Sequence, residues 1–197
     1  MVTATSAETL IVGSTLPRIY TPPLVTGPAG PCGCGCALTP ANSYGFYVVD
    51  FARDIVKRPL DPWQRWLVIH AGELLPDGRP RFRRVLVLVA RQNGKTEVLV
   101  ILALYWLYVE LVKLVLGTST NLDYARESWE KAVTLTESIE ELAAEIPPKS
   151  GVRRANGEQT LTTIHGGRYK IAASNRKGGR SLTIERLIMD ELREHHD

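Results

Sequence analysis

No stretch of this sequence is apolar for long enough to cross a bilayer. The longest uncharged apolar run, residues 98–109, is closed by Glu110 and followed by Lys113. That is short of a membrane span, so it reads as a core helix. A secretory signal is missing too: Met1-Val2-Thr3-Ala4-Thr5 has neither a basic n-region nor a continuous apolar h-region. Cysteine is confined to Cys32, Cys34 and Cys36, in one Cys-Gly-Cys-Gly-Cys tract. An odd number at single-residue gaps does not suit a disulfide framework, and no second ligand pair at zinc spacing accompanies it. The tract therefore reads as a flexible glycine-rich segment that carries thiols, in a reducing, cytosolic setting. His70, His165, His195 and His196 form no metal-ligand spacing. Charge of one sign is not in excess, with 24 basic and 21 acidic residues and a net charge of +3. That balance does not by itself point to nucleic acid, although a modest total can hide a local basic patch. Basic groups do gather at Arg79, Arg81, Arg83 and Arg84, and at Arg176, Lys177 and Arg180. There is no internal repeat.

What is present is enough for one globular domain: 197 residues, of which 44% are hydrophobic. Residues 1–43 hold Pro17, Pro22, Pro23, Pro28, Pro31 and Pro40 with glycines between them. No helical or strand period survives there, and a disordered leader is expected. From Tyr44 the apolar residues recur at helical spacing, predicting a helix over 47–57 that Pro59 ends. Asp61 as cap and Pro62 at the first position open a second helix over 62–74. Residues 85–90, Val-Leu-Val-Leu-Val-Ala, read as a buried strand running into Asn93-Gly94-Lys95-Thr96 and the apolar helix beyond. A strand follows at 113–118. Thr120 to Asp123 resembles a capping box and opens a long helix that Pro147-Pro148 stops. Residues 159–164 and 168–173 flank His165-Gly166-Gly167 as a hairpin. A polar loop follows, and residues 186–189 run as a last strand into Asp190-Glu191. Strands and helices alternate, which predicts an α/β fold with a mainly parallel sheet and helices on both faces. The ordered domain is expected to occupy 44–197.

Three pieces carry the chemistry. A strand, a Gly-Lys-Thr turn and a helix together build a phosphate cradle. The backbone N–H groups of Gln92, Asn93 and Gly94 face phosphate oxygens, Lys95 neutralises their charge, and the Thr96 hydroxyl takes a place on a magnesium ion. The glycine that the common pattern wants five residues before Gly94 is absent; Val89 stands there. The second piece is the acidic pair that ends the last strand. Asp190 suits the magnesium ion, and Glu191 suits orienting or deprotonating an attacking water. Alone, that pair would read as a solvated helix start. The third is Pro62-Trp63-Gln64, where the Gln64 amide has the donor and acceptor for an adenine edge. A surface glutamine beside a core tryptophan is the plainer alternative. Arg91, inside the loop, is placed to stabilise transition-state charge as a cis arginine finger, or to pair with a carboxylate at the sheet edge.

Taken together, these residues resemble the ATPase domain of the large terminase subunit of tailed bacteriophages. The resemblance rests on Leu-x-Pro-Trp-Gln, Ala-Arg-Gln-Asn-Gly-Lys-Thr, Gly-Thr-Ser-Thr-Asn, a Gly-Gly hairpin and Leu-Ile-Met-Asp-Glu, and spans about residues 44–197. It implies a P-loop NTPase of the RecA-like, ASCE class, incomplete at the C-terminus, that binds ATP and Mg2+ and hydrolyses ATP to move double-stranded DNA into a capsid. Gln64 would read adenine. Arg91, Gln92, Asn93, Gly94, Lys95 and Thr96 would form the Walker A loop. Asp190 and Glu191 would be the magnesium and catalytic carboxylates of Walker B. The implied partners are DNA, a portal protein, a small terminase subunit and further copies of the chain in a ring, in the host cytoplasm at the capsid portal, with no membrane. The loop over 175–181 falls where that family joins its sheet to the acidic strand. No nuclease carboxylate cluster is present, so DNA cutting is not expected. Two other readings stay open: a helicase-like or restriction-type translocase, although Arg193 stands where such motifs carry His or Asp, and a nucleotide-binding module without turnover.

Overall fold

The structure, a computed structural model, describes residues 14, 16–119, 121–155, 157–173 and 182–191. The first helix is α1, Gly45–Asp50, and the chain continues without a break into a single π-helical turn, Phe51–Ile55. Helix α2 is Pro62–Ala71, with Pro62 in its first turn and a capping box between Asp61 and Gln64. Helix α3, Lys95–Tyr108, carries the apolar run. Its residues Val100, Ile101, Ala103, Leu104 and Leu107 are fully buried. A helix with no polar face has to be enclosed, and each large aliphatic side chain so buried contributes about 2 kcal/mol.

Strand β1, Leu114–Ser119, follows α3. Helix α4, Leu122–Ser138, is capped by Asn121, whose side chain accepts the Asp123 N–H at 2.9 Å. Thr120 lies outside the described residues. Ile139 adopts an extended conformation, so the helical path breaks well before Pro147, and a short α5, Glu140–Ala143, completes it. Strands β2, Val152–Arg153, β3, Thr160–Thr162, β4, Arg168–Ala173, and β5, Arg186–Met189, finish the sheet.

The sheet has five strands in the order β2-β3-β4-β1-β5. Strand β1 pairs in parallel with both β4 and β5, while β2–β3 and β3–β4 are antiparallel. The fold is therefore α/β, but the sheet is mixed rather than mainly parallel. The antiparallel half comes from the hairpin at His165-Gly166-Gly167, which returns the chain locally instead of through a crossover. Helices α3 and α4 touch each other and both pack on the β1–β4 part of the sheet. Trp129 of α4 is wholly buried there, and its indole N–H donates to the Tyr169 carbonyl at 3.2 Å. Strand β5 is tied to the end of α3 by the Arg186–Glu110 ion pair.

Two further expectations fail, for different reasons. Residues 85–90 form no strand. Val85, Leu86 and Leu88 are 51%, 68% and 88% exposed. A β-branched run becomes a strand only where a neighbour takes its hydrogen bonds, and no described strand lies alongside it. The leader expected to be disordered is folded over its described part. Leu38 is fully buried against Phe46 and Ile69. The Leu24 and Val25 N–H groups donate to Glu73 Oε1 at 2.7 and 3.2 Å. Glu73 is buried and also paired with Arg81, which donates to the Pro22 carbonyl at 2.8 Å. A proline-rich segment without periodicity is thus held by one buried carboxylate, which no local pattern signals. Among the described residues no helix is long and apolar enough to cross a membrane.

Replacing Glu73 by Ala removes the acceptor of two backbone donors and strands Arg81 without its partner. The expected loss is about 3–5 kcal/mol in urea unfolding, as for a broken buried ion pair. A loss below about 1 kcal/mol would show that the leader is held by something else.

Candidate functional site

Residues 91–94 lead from the irregular segment into α3. Gln92 and Gly94 both take left-handed backbone, with φ of 61° and 75°. Gly94 is the N-cap of α3. A Cβ at Gly94 would lie 2.7 Å from Gln64 Nε2, and the left-handed angle disfavours any L side chain there. Gln64 is what occupies that space. Its buried amide accepts the Asp61 N–H on Oε1 at 2.8 Å and donates Nε2 to the Gly94 carbonyl at 3.0 Å. One side chain therefore closes the cap of α2 and pins the start of α3. Asn93 folds the loop back on itself, its Nδ2 donating to the Ala90 and Arg91 carbonyls at 3.2 and 3.1 Å. The first turn of α3 offers backbone N–H groups without intrahelical acceptors, and the helix dipole makes that end attractive to an anion. Glu97 also sits in this turn, and Arg58 pairs with it at 3.4 Å.

The second half of the site is the end of β5. The Asp190 N–H donates to the Thr118 carbonyl at 3.0 Å, extending the β1–β5 ladder past the strand. The Glu191 N–H donates to Asp190 Oδ1 at 2.9 Å. Glu191 itself has φ of 53°, an uncommon angle for a residue with a side chain. The turn brings Glu191 Oε1 to 3.4 Å from Lys95 Nζ. Both partners are about a quarter exposed, 27% and 29%, so the pair adds no more than about 1 kcal/mol to stability. Its meaning is positional: two motifs far apart in sequence meet at one point. Burial pushes the Tyr169 hydroxyl well above its ordinary range, and the negative charge of Asp190 pushes it further. The Tyr169 hydroxyl therefore stays protonated within the field of Asp190.

Of the residues singled out from sequence, Gln64, Gly94, Lys95 and Glu191 are joined by direct contacts. Asp190 adjoins them through the Glu191 N–H. Thr96 is half-buried at the start of α3. Gln92 and Asn93 are exposed in the loop, as is Arg91, whose guanidinium makes no hydrogen bond or ion pair among the described residues. The loop over 175–181, His195 and His196 lie outside the described residues. Sequence reasoning missed Arg58, which neutralises Glu97 and has no motif to mark it. It also missed that the three cysteines gather on His70, with Cys34 Sγ 3.3 Å from His70 Nε2. Linear spacing rules do not reach a ligand supplied by a helix so far along the chain.

No family model matches this chain, and no curated protein matches it. Among solved structures it is similar to the crystal structure of the HK97 bacteriophage large terminase, with a TM-score of 0.62 and 17% identity. What the two share is the fold. The match covers 75% of this chain and 31% of that one, so the chain spans less than a third of that protein's length.

The Gln64–Gly94 contact gives a double-mutant test. Gly94→Ala is expected to cost about 1–2 kcal/mol from backbone strain, plus the displacement of Gln64. In a Gln64→Ala background the second component vanishes, so the two costs should fail to add by more than about 0.5 kcal/mol. Additive costs in denaturant unfolding would mean that the amide does not hold the loop.

Proposed function

We propose that this chain is the ATP-binding and ATP-hydrolysing portion of a viral DNA-packaging motor, a part of a terminase large subunit. The observation that carries the reading is the approach of Lys95 Nζ to Glu191 Oε1 at 3.4 Å. It joins a helix N-terminus suited to phosphate with a carboxylate suited to activating water. The fold likeness to a phage large terminase supports the same reading.

In this reading the phosphates of ATP lie at the first turn of α3 and take Lys95 from Glu191. Thr96 and Asp190 offer a hydroxyl and a carboxylate, hard oxygen donors that fit Mg2+. When bound, that ion neutralises charge on the β- and γ-phosphates. Glu191, released from Lys95, accepts a proton from water as the water oxygen bonds to the γ-phosphorus. The bond from that phosphorus to the bridging oxygen breaks, and ADP leaves. Arg91, unpaired and exposed, is free to turn toward the γ-phosphate. The Gln64 amide is buried, with Oε1 taken by Asp61 and Nε2 by Gly94, so in this reading it meets an adenine edge only when those bonds open. Double-stranded DNA is the substrate moved. A portal protein, a small terminase subunit and further copies of the chain are the assembly partners, in the host cytoplasm at the capsid portal.

The expected results separate binding from turnover. Lys95→Ala should weaken ATP binding at least about tenfold through loss of the phosphate cation. Glu191→Gln should bind ATP several-fold tighter, because the anion competing for Lys95 is gone, while phosphate release falls by about 10²–10⁴. Calorimetry and a phosphate-release assay with Mg2+ and double-stranded DNA measure the two. Turnover in Lys95→Ala equal to wild type would sink the assignment. Tight ATP binding with no phosphate release, even with DNA and portal present, would select a nucleotide-binding module without turnover.

A further inference from the structure

The three thiols and His70 form the one concentration of soft ligands among the described residues, and the ATP chemistry does not use them. Cys32, Cys34, Cys36 and His70 bring one ligand atom each to within 4.8 Å of all the others. Cys32 Sγ lies 3.1 Å from Cys36 Sγ, and Cys34 Sγ lies 3.2 Å from Cys36 Sγ and 3.3 Å from His70 Nε2. All three cysteines are free thiols. Tetrahedral zinc with Zn–S of about 2.3 Å sets ligand atoms about 3.8 Å apart, so the three short contacts would open by about half an ångström around the ion, within the 4.8 Å that spans the group. Three sulfurs and one imidazole are also a known structural zinc donor set.

The backbone explains how so tight a spacing in sequence reaches one point. In an extended strand, alternate side chains share a face but stand too far apart to chelate. Here Gly33 and Gly35 take φ of 82° and 85°. These left-handed kinks curl the segment, and the three cysteines between and beside them converge. The curl is closed by the Gly30 N–H donating to the Cys36 carbonyl at 2.7 Å. The Cys34 N–H points at Cys32 Sγ, 3.2 Å away, the outer-shell contact that steadies a thiolate. Arg65 donates to the Pro31 carbonyl at 3.3 Å. Its positive charge stands beside a centre that three thiolates and a divalent ion would leave with one net negative charge.

His70 supplies a second, independent observation. It is 7% exposed. Its Nδ1 has no hydrogen-bond partner among the described residues, and its Nε2 meets only a thiol. Nε2 is the nitrogen turned to the thiols, so a cation there would replace one weak thiol contact with a coordination bond, while Nδ1 stays without a partner among the described residues. The ring is also held for that purpose: Trp66, one turn earlier on α2, stacks on it at 3.9 Å between centroids, and Tyr20 meets its edge at 6.1 Å.

We propose that Cys32, Cys34, Cys36 and His70 bind a structural zinc ion that fastens the leader to helix α2. The ion is closed to substrate, with every coordination place taken by the protein. It ties residues 32–36 to the helix that also carries Gln64, on the side of the Glu73 clasp.

The chain purified from zinc-supplemented culture under reducing conditions should hold one zinc by elemental mass spectrometry. Cobalt added to the metal-free chain should give the visible and thiolate charge-transfer absorption of a tetrahedral site. Cys34→Ser, whose fold is checked by circular dichroism, should lose at least about 10-fold in zinc affinity, as loss of a ligand requires. Chelation of the wild type should expose cleavage sites within residues 16–43 to limited proteolysis while α3 stays protected. Three outcomes would overturn the proposal: metal-free protein showing no cobalt–thiolate absorption, a Cys32–Cys36 disulfide as the resting state of the freshly purified chain, or zinc retained unchanged when all three cysteines are replaced by serine.

Discussion

One buried amide joins the parts of this molecule that matter. Gln64 takes the Asp61 N–H and gives its own N–H to the Gly94 carbonyl. Without it, α2 would start from an unclosed cap, and the left-handed start of α3 would stand unsupported. Each hydrogen bond alone is worth about 1 kcal/mol. Their shared side chain makes them interdependent, since any movement of α2 is felt at the N-terminus of α3. The leader, clasped by Glu73 and by the thiol cluster to the other end of α2, extends that rigidity away from the site.

Across from this hinge the acidic pair is set by a different device. Strand β5 pairs in parallel with β1, and the Asp190 N–H adds a rung beyond the strand. The chain then turns through a strained Glu191. Strain of this kind, of order 1–3 kcal/mol, persists only where its surroundings hold it. Here the Asp190 carboxylate and Lys95 both do. The lysine is thus held by a single carboxylate that is only partly shielded from water.

Much of this was legible in the sequence, for reasons visible at particular residues. Pro62 after Asp61, the all-round apolar face of α3 and the Gly-Gly hairpin are local signals, and local structure obeyed them. Lys95 and Glu191 stand out in the sequence by residue type and neighbours, and what the structure adds is their approach to 3.4 Å. Residues 85–90 misled because β-branching states a preference for pairing, and no strand among the described residues stands beside them. The leader misled in the opposite sense. Its order comes from Glu73, Arg81 and His70, residues that lie outside it and leave no trace in its own composition. The sheet is less parallel than the alternation of elements implies because the hairpin sets β3 antiparallel to β4 and β2 antiparallel to β3, leaving only β1–β4 and β1–β5 parallel.

The exposed run of residues 85–90 has a practical consequence. Val85, Leu86 and Leu88 present an apolar, uncharged ribbon to water, and strand β5 leaves Leu187 and Met189 half-exposed as well. Surfaces of this composition adhere to their own kind by adding strands edge to edge. Excluded salts such as sulfate strengthen that attraction. Chromatographic behaviour and shelf life of the isolated chain will thus be governed by this ribbon more than by its modest net charge, and dilute, low-sulfate conditions are the ones in which it behaves as a single species.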